Sequence, residues 1–176
     1  YQEEAMSSFS ITSNFYLRTL YAPNRSLATN SVRMETPKTT LSAADQSALR
    51  KGIKALADFD YENADNDSTT DKKNLYDHIK AFTDAYNNSV STGLSSDEDS
   101  VRALTKRLKK ATASYQDDLS SLGITANSDG YLSISSSAVT NISISKYEDF
   151  FGESSKFMDT VSDYSKRLSN RIDVSI

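Results

Sequence analysis

One histidine, one acidic run and ten tyrosines are the side chains of this sequence with the means to do chemistry. His78 falls between Leu75 and Ile79 in a helical pattern, with no G-x-S-x-G context anywhere in the chain. A serine nucleophile needs a base within hydrogen-bond reach, and His78 alone does not supply that constellation. With a single His and no Cys, a zinc site would have to be built largely of carboxylates, an unusual donor set for that ion. His78 therefore reads as a boundary position on an ordinary helix. The run from Asp60 to Asp71 offers hard oxygen ligands, and Asp65 and Asp67 mimic the start of an EF-hand loop. Thr70 stands where that loop needs Gly, and Tyr76 where it needs a bidentate Glu, so a solvated interhelix loop is the better reading. Tyr86, Tyr115, Tyr147 and Tyr164 could form a carbohydrate-binding surface, but their helical spacing favours packing. No glycine-rich stretch has the spacing of a phosphate cradle. The expectation is a chain without catalytic residues, metal or cofactor.

The elements that would position these groups are mostly helical. A first stripe follows the S-x-x-D pattern of Ser42 to Asp45 and runs through Ala48, Leu49, Ile53 and Leu56, ending near Asp60. A second runs Leu75, Ile79, Phe82, Tyr86, Val90, with Gly93 as its expected terminator. The third begins after Ser96, carries Asp97, Glu98 and Asp99 at its dipole-favoured start, and repeats Val101, Leu104, Leu108, Ala111, Tyr115, Leu119, Leu122 up to Gly123. A fourth, Phe157, Val161, Tyr164, Leu168, Ile172, has Lys166, Arg167 and Arg171 toward its end. Such narrow faces suit antiparallel bundles and coiled coils. The first 40 residues fit a period of two (Phe9, Ile11, Phe15, Leu17, Tyr21) and also a helix, and are read as irregular with a strand. Pro23-Asn24 reads there as a turn and Ser31 to Glu35 as extended.

The interruption SLGITANSDGYLSIS, from Ser121 to Ser135, is a reversal. Gly123 stops the third helix, Asp129-Gly130 makes a tight turn, and Leu132 and Ile134 lie on one strand face, paired with Ile124 and its neighbours. The predicted fold is mainly α: an elongated antiparallel helical bundle with a small β-hairpin, residues 41–176, behind an irregular or partly β segment 1–40, with the reversal at 122–135.

Composition sets further bounds. The 176 residues, 19.4 kDa, are enough for one domain with a real core, but only 37% are apolar and the mean hydropathy is -0.56, which suits a thin bundle. A net charge of -4 argues against a nucleic-acid partner, and the basic cluster Lys106 to Lys110 reads as the solvated side of a helix. No apolar run is long enough to span a membrane. The absence of Cys fits a cytosolic protein and equally a secreted one. The opening at Tyr1, with neither an initiator Met nor a signal-peptide pattern, reads as a processed or trimmed chain. Abundant Ser, Thr and Asn with no Trp is a composition frequent in exported bacterial filament and surface proteins.

The order of these pieces resembles the C-terminal region of flagellar filament cap proteins, also called hook-associated protein 2. That family shows LGI, a polar loop, DG, a strand, a polar helix start and a Leu-Phe or Phe-Phe element before the last helix. Leu122, Gly123, Ile124, Asp129, Gly130, Leu132, Phe150, Phe151 and Gly152 match it, and Phe82, Tyr86 and Asn87 resemble its F-x-x-x-Y-N segment. The likeness covers residues 70–172 in order. Two departures stand out: serines occupy 135–137 where the family usually has an acid, and residues 1–40 have no counterpart. The resemblance implies a non-enzymatic structural and assembly module, extracellular or at the cell surface, with flagellin or further copies of itself as protein partners. The alternative is a secreted or surface interaction protein of another system that uses the same helical module; a cytoplasmic location is also compatible with the sequence.

Overall fold

A computed structural model of the chain describes residues 15–175. The fold is mainly α with one small antiparallel hairpin. Four long helices form its body: α3 (Lys38–Ala57), α4 (Thr69–Leu94), α5 (Asp99–Ala113) and α9 (Lys156–Ser175). Ahead of them lie a helical turn at 15–20 (α1), a 3-10 turn (Arg25–Ala28) and α2 (Asn30–Arg33). Between α5 and α9 come α6 (Gln116–Ser121), β1 (Ile124–Ala126), β2 (Leu132–Ile134), α7 (Ser136–Asn141) and α8 (Ile144–Phe151).

Side-chain pairings give the direction of each helix. Asp45 bonds Thr92 while Gly52 abuts Phe82, so α3 and α4 are antiparallel. Gly93 abuts Thr105 while Tyr86 bonds Thr112, so α4 and α5 are too. Tyr115 packs on Phe157 and Val101 shares a groove with Ile172, which sets α9 against α5. Since α3 and α5 each pack on both α4 and α9, the body is an up-down-up-down four-helix bundle. Leu49, Leu56, Leu75, Ile79, Phe82, Tyr86 and Leu108 are fully buried at its centre. The stripes read from the sequence supply that core.

Local signals fix the ends. The Ser68 hydroxyl accepts from the Asp71 N–H at 3.2 Å and starts α4. Ser155 does the same for α9 through Met158 N–H at 3.1 Å. Several expected boundaries move. α3 starts directly after Pro37, whose fixed φ suits a helix start, so Ser42 and Asp45 lie buried inside it. Gly93 lies within α4 rather than past its end. The third stripe is broken at Ser114 and Tyr115, which separates α5 from α6.

The N-terminal expectation also changes. Among the described residues 15–40 there is no strand; residues 15–20 are helical and Ser31–Glu35 begins as α2 rather than extended. The turn expected at Pro23-Asn24 lies earlier, at 21–23, with a cis Ala22–Pro23 bond. Phe9 and Ile11, two of the five residues of the alternating pattern, lie outside the described residues. This segment has its own small core, in which Leu17, Leu20, Tyr21 and Leu27 pack on Ala48, Ala81 and Ala85. Those alanines open a shallow face on α3 and α4, and period-three spacing then buries Leu17 and Leu20 together.

Candidate functional site

The reversal is held by the backbone, by one asparagine and by one tyrosine. Gly123 and Gly130 have φ of +76° and +86°, a region that residues with a β-carbon enter only at a cost. β1 and β2 pair with Ile124 opposite Ile134 and Ala126 opposite Leu132. Asn127 organises the turn: its Oδ1 accepts from the N–H groups of Asp129 and Tyr131, each at 3.0 Å. Asn87, on α4, donates its Nδ2–H to the Leu132 carbonyl and accepts the Leu132 N–H, both at 2.8 Å. A side-chain amide carries the same donor and acceptor as a peptide group, so Asn87 stands in for a third strand and seats the hairpin on the bundle. Tyr147 Oη donates to the Leu122 carbonyl at 3.0 Å, joining α8 to the same corner.

The Phe-Phe-Gly element sits at the turn into α9. Phe150 stacks on Phe157 with centroids 4.6 Å apart and an angle of 19°, and Phe151 meets Phe82 edge-on at 5.9 Å. Tyr115 closes the cluster against Phe157 at 5.2 Å. Gly152 ends α8, its N–H donating to the Glu148 carbonyl at 2.8 Å, and the Ser155 hydroxyl donates to the Phe150 carbonyl. Leu122, Ile124, Leu132 and Phe151 are all buried in the main core, so the motif residues converge on one structural unit; the exposed Asp129 and the half-buried Gly130 form its tip.

The other chemistry-bearing residues are placed as structural parts. His78 lies between the rings of Tyr16 (4.4 Å) and Phe59 (5.4 Å), and its Nδ1 donates to the Asn74 carbonyl at 2.6 Å. The acidic loop turns its carboxylates on its own backbone. Asp60 accepts from Asn63, Asp65 from the Asp67 N–H, and Asp71 from the Asp65 N–H at 2.8 Å. Asp71 belongs to the first turn of α4, so the loop is shorter than the acidic run. Among the described residues no group of three or more His, Cys, Asp or Glu is arranged to hold a metal ion.

Tyr86 and Tyr147 are fully buried, and burial pushes both phenols up to about 12; for Tyr86 the Thr112 hydrogen bond at 2.8 Å works in the opposite direction. Tyr115 and Tyr164 are half-buried, the latter beneath the Arg167 guanidinium at 5.2 Å. In the Lys106 to Lys110 cluster, Lys106, Arg107 and Lys110 are exposed around a fully buried Leu108.

One polar centre escaped the reading of the sequence. Asp45 is fully buried and accepts from Tyr21 Oη at 2.5 Å, from both Arg33 nitrogens at 2.9 and 2.7 Å, and from Thr92 at 2.9 Å. Arg33 also donates to the Leu27 carbonyl at 2.8 Å, and Asn88 donates to Tyr21 Oη at 2.9 Å. Burial, then the Asp45 charge, pushes the Tyr21 phenol far up, so it stays a donor. The site latches the segment 15–33 onto α3 and α4. Its trace in the sequence is an acid on an apolar face: Asp45 stands three and four residues before Ala48 and Leu49.

No helix among the described residues is long and apolar enough to cross a membrane. Compared with known proteins, the chain matches no family model, no curated protein and no solved structure.

Proposed function

We propose that this chain is a non-enzymatic assembly module of the flagellar filament-cap kind, acting outside the cell by burying helix faces against protein partners. The observation that carries this reading is the double hydrogen bond from Asn87 to Leu132. It ties the LGI–DG reversal to the bundle, and does so with Asn87, a residue of the segment that resembles the F-x-x-x-Y-N segment of the filament caps. A rigid body with fixed surfaces is what repetitive assembly requires, because flexibility at a contact adds ordering cost to each subunit joined. The polar side chains support the same view. Asp45, Asn87, Tyr86 and Tyr147 each join one segment to another.

One observation favours the second reading, a surface interaction protein of another system. α7 starts at Ser136 with no acid in its first turn, where the caps usually have one. Cosedimentation with preformed flagellin filaments separates the two. The cap-like reading expects saturable pelleting with the filaments; a chain that stays in the supernatant at every filament concentration belongs to another system.

A further inference from the structure

The segment ahead of α3 is fastened to the bundle differently from everything that follows it. Every buried residue of the main core lies between Leu49 and Ile172, so the four long helices bury their stripes without it. The segment's own small core places Leu17, Leu20, Tyr21 and Leu27 on Ala48, Ala81 and Ala85, with Ala44 at the margin. Gly52 lies on the same side of α3, where a β-carbon would come within 3.3 Å of Leu20 Cδ1. These small residues form a shallow trough along α3 and α4. Such a surface lets a helix backbone approach closely and takes its leucines between the ridges.

Toward the start of α3 the trough holds Asp45. The segment supplies three of the four hydrogen bonds to this carboxylate, from Tyr21 Oη and both Arg33 nitrogens, and Thr92 of α4 supplies the fourth. Taking a guanidinium and a carboxylate out of water costs nearly as much as their attraction returns, so the pair sets where the segment lies more than it holds it there. Lifting the segment returns both charges to water. Phe15, Val32 and Met34, 61%, 37% and 94% exposed, are the large apolar side chains that the described residues leave open, and all three lie on this segment. Few apolar anchors, a pair that gains hydration on release and a core complete without it are the marks of a part that opens while the rest stays folded.

We propose that residues 15–36 form a releasable strap, and that the trough beneath it receives a helix from a protein partner once the strap lifts. The strap shows the chemistry that this partner needs: two leucines three residues apart, to enter the trough as Leu17 and Leu20 do, and an arginine to reach Asp45. The arginine is required because Asp45 is fully buried, and a helix that covered it without a cation would strand a carboxylate away from water. The strap competes with the partner from within the same chain, so the site is inhibited in proportion to the closed population. This surface is separate from the reversal, and the inference does not rest on the assembly role proposed above.

Hydrogen exchange and a synthetic peptide test the strap and the trough on the whole chain. The peptide spans residues 15–36 and carries a fluorophore. Amides of 15–33 should exchange at least about tenfold faster than those at the centre of α4. Arg33→Ala and, separately, Leu20→Ala should speed strap exchange further and keep the helical circular dichroism of the bundle. Each should also bind the peptide at least about tenfold more tightly than wild type, because apparent affinity follows the open fraction. A peptide carrying Arg33→Ala should lose binding to the Leu20→Ala chain, and the unaltered peptide should lose binding when Asp45→Asn is added to that chain. Exchange in 15–33 no faster than in α4, or a bundle that unfolds in both variants, would overturn the strap. A strap that opens over a folded bundle yet admits no peptide, or equal binding with and without the arginine, would overturn the trough as a receptor.

Discussion

Replacing Gly123 by Ala should cost much more than the same replacement at Gly130, although both have positive φ and turn chemistry alone would rank them equal. The shared part is the left-handed backbone, about 1 to 2 kcal/mol for a residue with a β-carbon. The difference lies in what the new atom meets. At Gly123 it would stand 2.1 Å from the Cβ of Ala138, which has no rotamer to change; at Gly130 it would stand 2.4 Å from Lys109 Cε, the far part of a flexible chain. Carbon atoms settle about 3.5 to 4.0 Å apart, so α7 must recede by roughly 1.5 Å, dragging Val139 from the core. Overpacking of that kind costs about 1 to 3 kcal/mol, giving about 2 to 5 kcal/mol for Gly123→Ala against about 1 to 2 for Gly130→Ala. Urea titration with unchanged m-values provides the numbers. Ala138→Gly by itself should cost about 1 kcal/mol as a helix substitution, yet in the Gly123→Ala background it should recover the packing part. Equal losses at the two glycines, or simple additivity with Ala138→Gly, would mean that the contact with Ala138 carries none of the cost.

Further outcomes follow from the buried groups. Leu108→Ala, at a fully buried site between α4 and α9, should lower stability by about 2 to 4 kcal/mol in the same titration, and an unchanged midpoint would mean that α5 faces solvent. Asp45→Ala leaves the Arg33 guanidinium buried without its carboxylate and should cost about 3 to 5 kcal/mol, with hydrogen exchange in residues 15–33 rising first; protection that stays level there would contradict the latch. Tyr86 and Tyr147 ionise near 12 when folded and near 10 when unfolded, so above pH 10 the unfolded chain binds fewer protons and stability falls as pH rises toward 12. Each phenol contributes up to about 1.4 kcal/mol per pH unit there, and absorbance at alkaline pH should show both ionising together with unfolding rather than before it.

The body of the fold was legible because burial in a bundle is periodic. Leu75, Ile79, Phe82, Tyr86 and Val90 repeat at the spacing that any helix face must have, and Leu104, Leu108 and Leu168 do the same on their helices. The reversal was legible because positive φ demands particular residues, and Gly123 and Gly130 supply them. What failed had causes remote in sequence. Gly93 has the local look of a helix stop, but it is buried in α4 where Thr105 crosses close by. The S-x-x-D pattern at Ser42 resembles a cap, yet Asp45 serves Arg33 and Tyr21, residues whose arrival depends on the tertiary fold. No Gly or Pro announces the break after Ala113. In residues 15–40 periods of two and of three to four coexist, and the small alanine face on α3 and α4 decides for the helix. The convergence of LGI, DG and Phe-Phe-Gly on one corner depends on Asn87 and Tyr147, and neither bond has a sequence signal of its own.

Assembly at a filament end would be visible in the position of the bound chain. Gold-labelled protein, incubated with preformed flagellin filaments and imaged by negative-stain electron microscopy, should lie at filament ends, one cluster to an end, with labelling lost in Gly123→Ala where the reversal is displaced. Label scattered along the filament sides, or no label above that on filaments treated with gold alone, would mean that the chain does not assemble at a filament end.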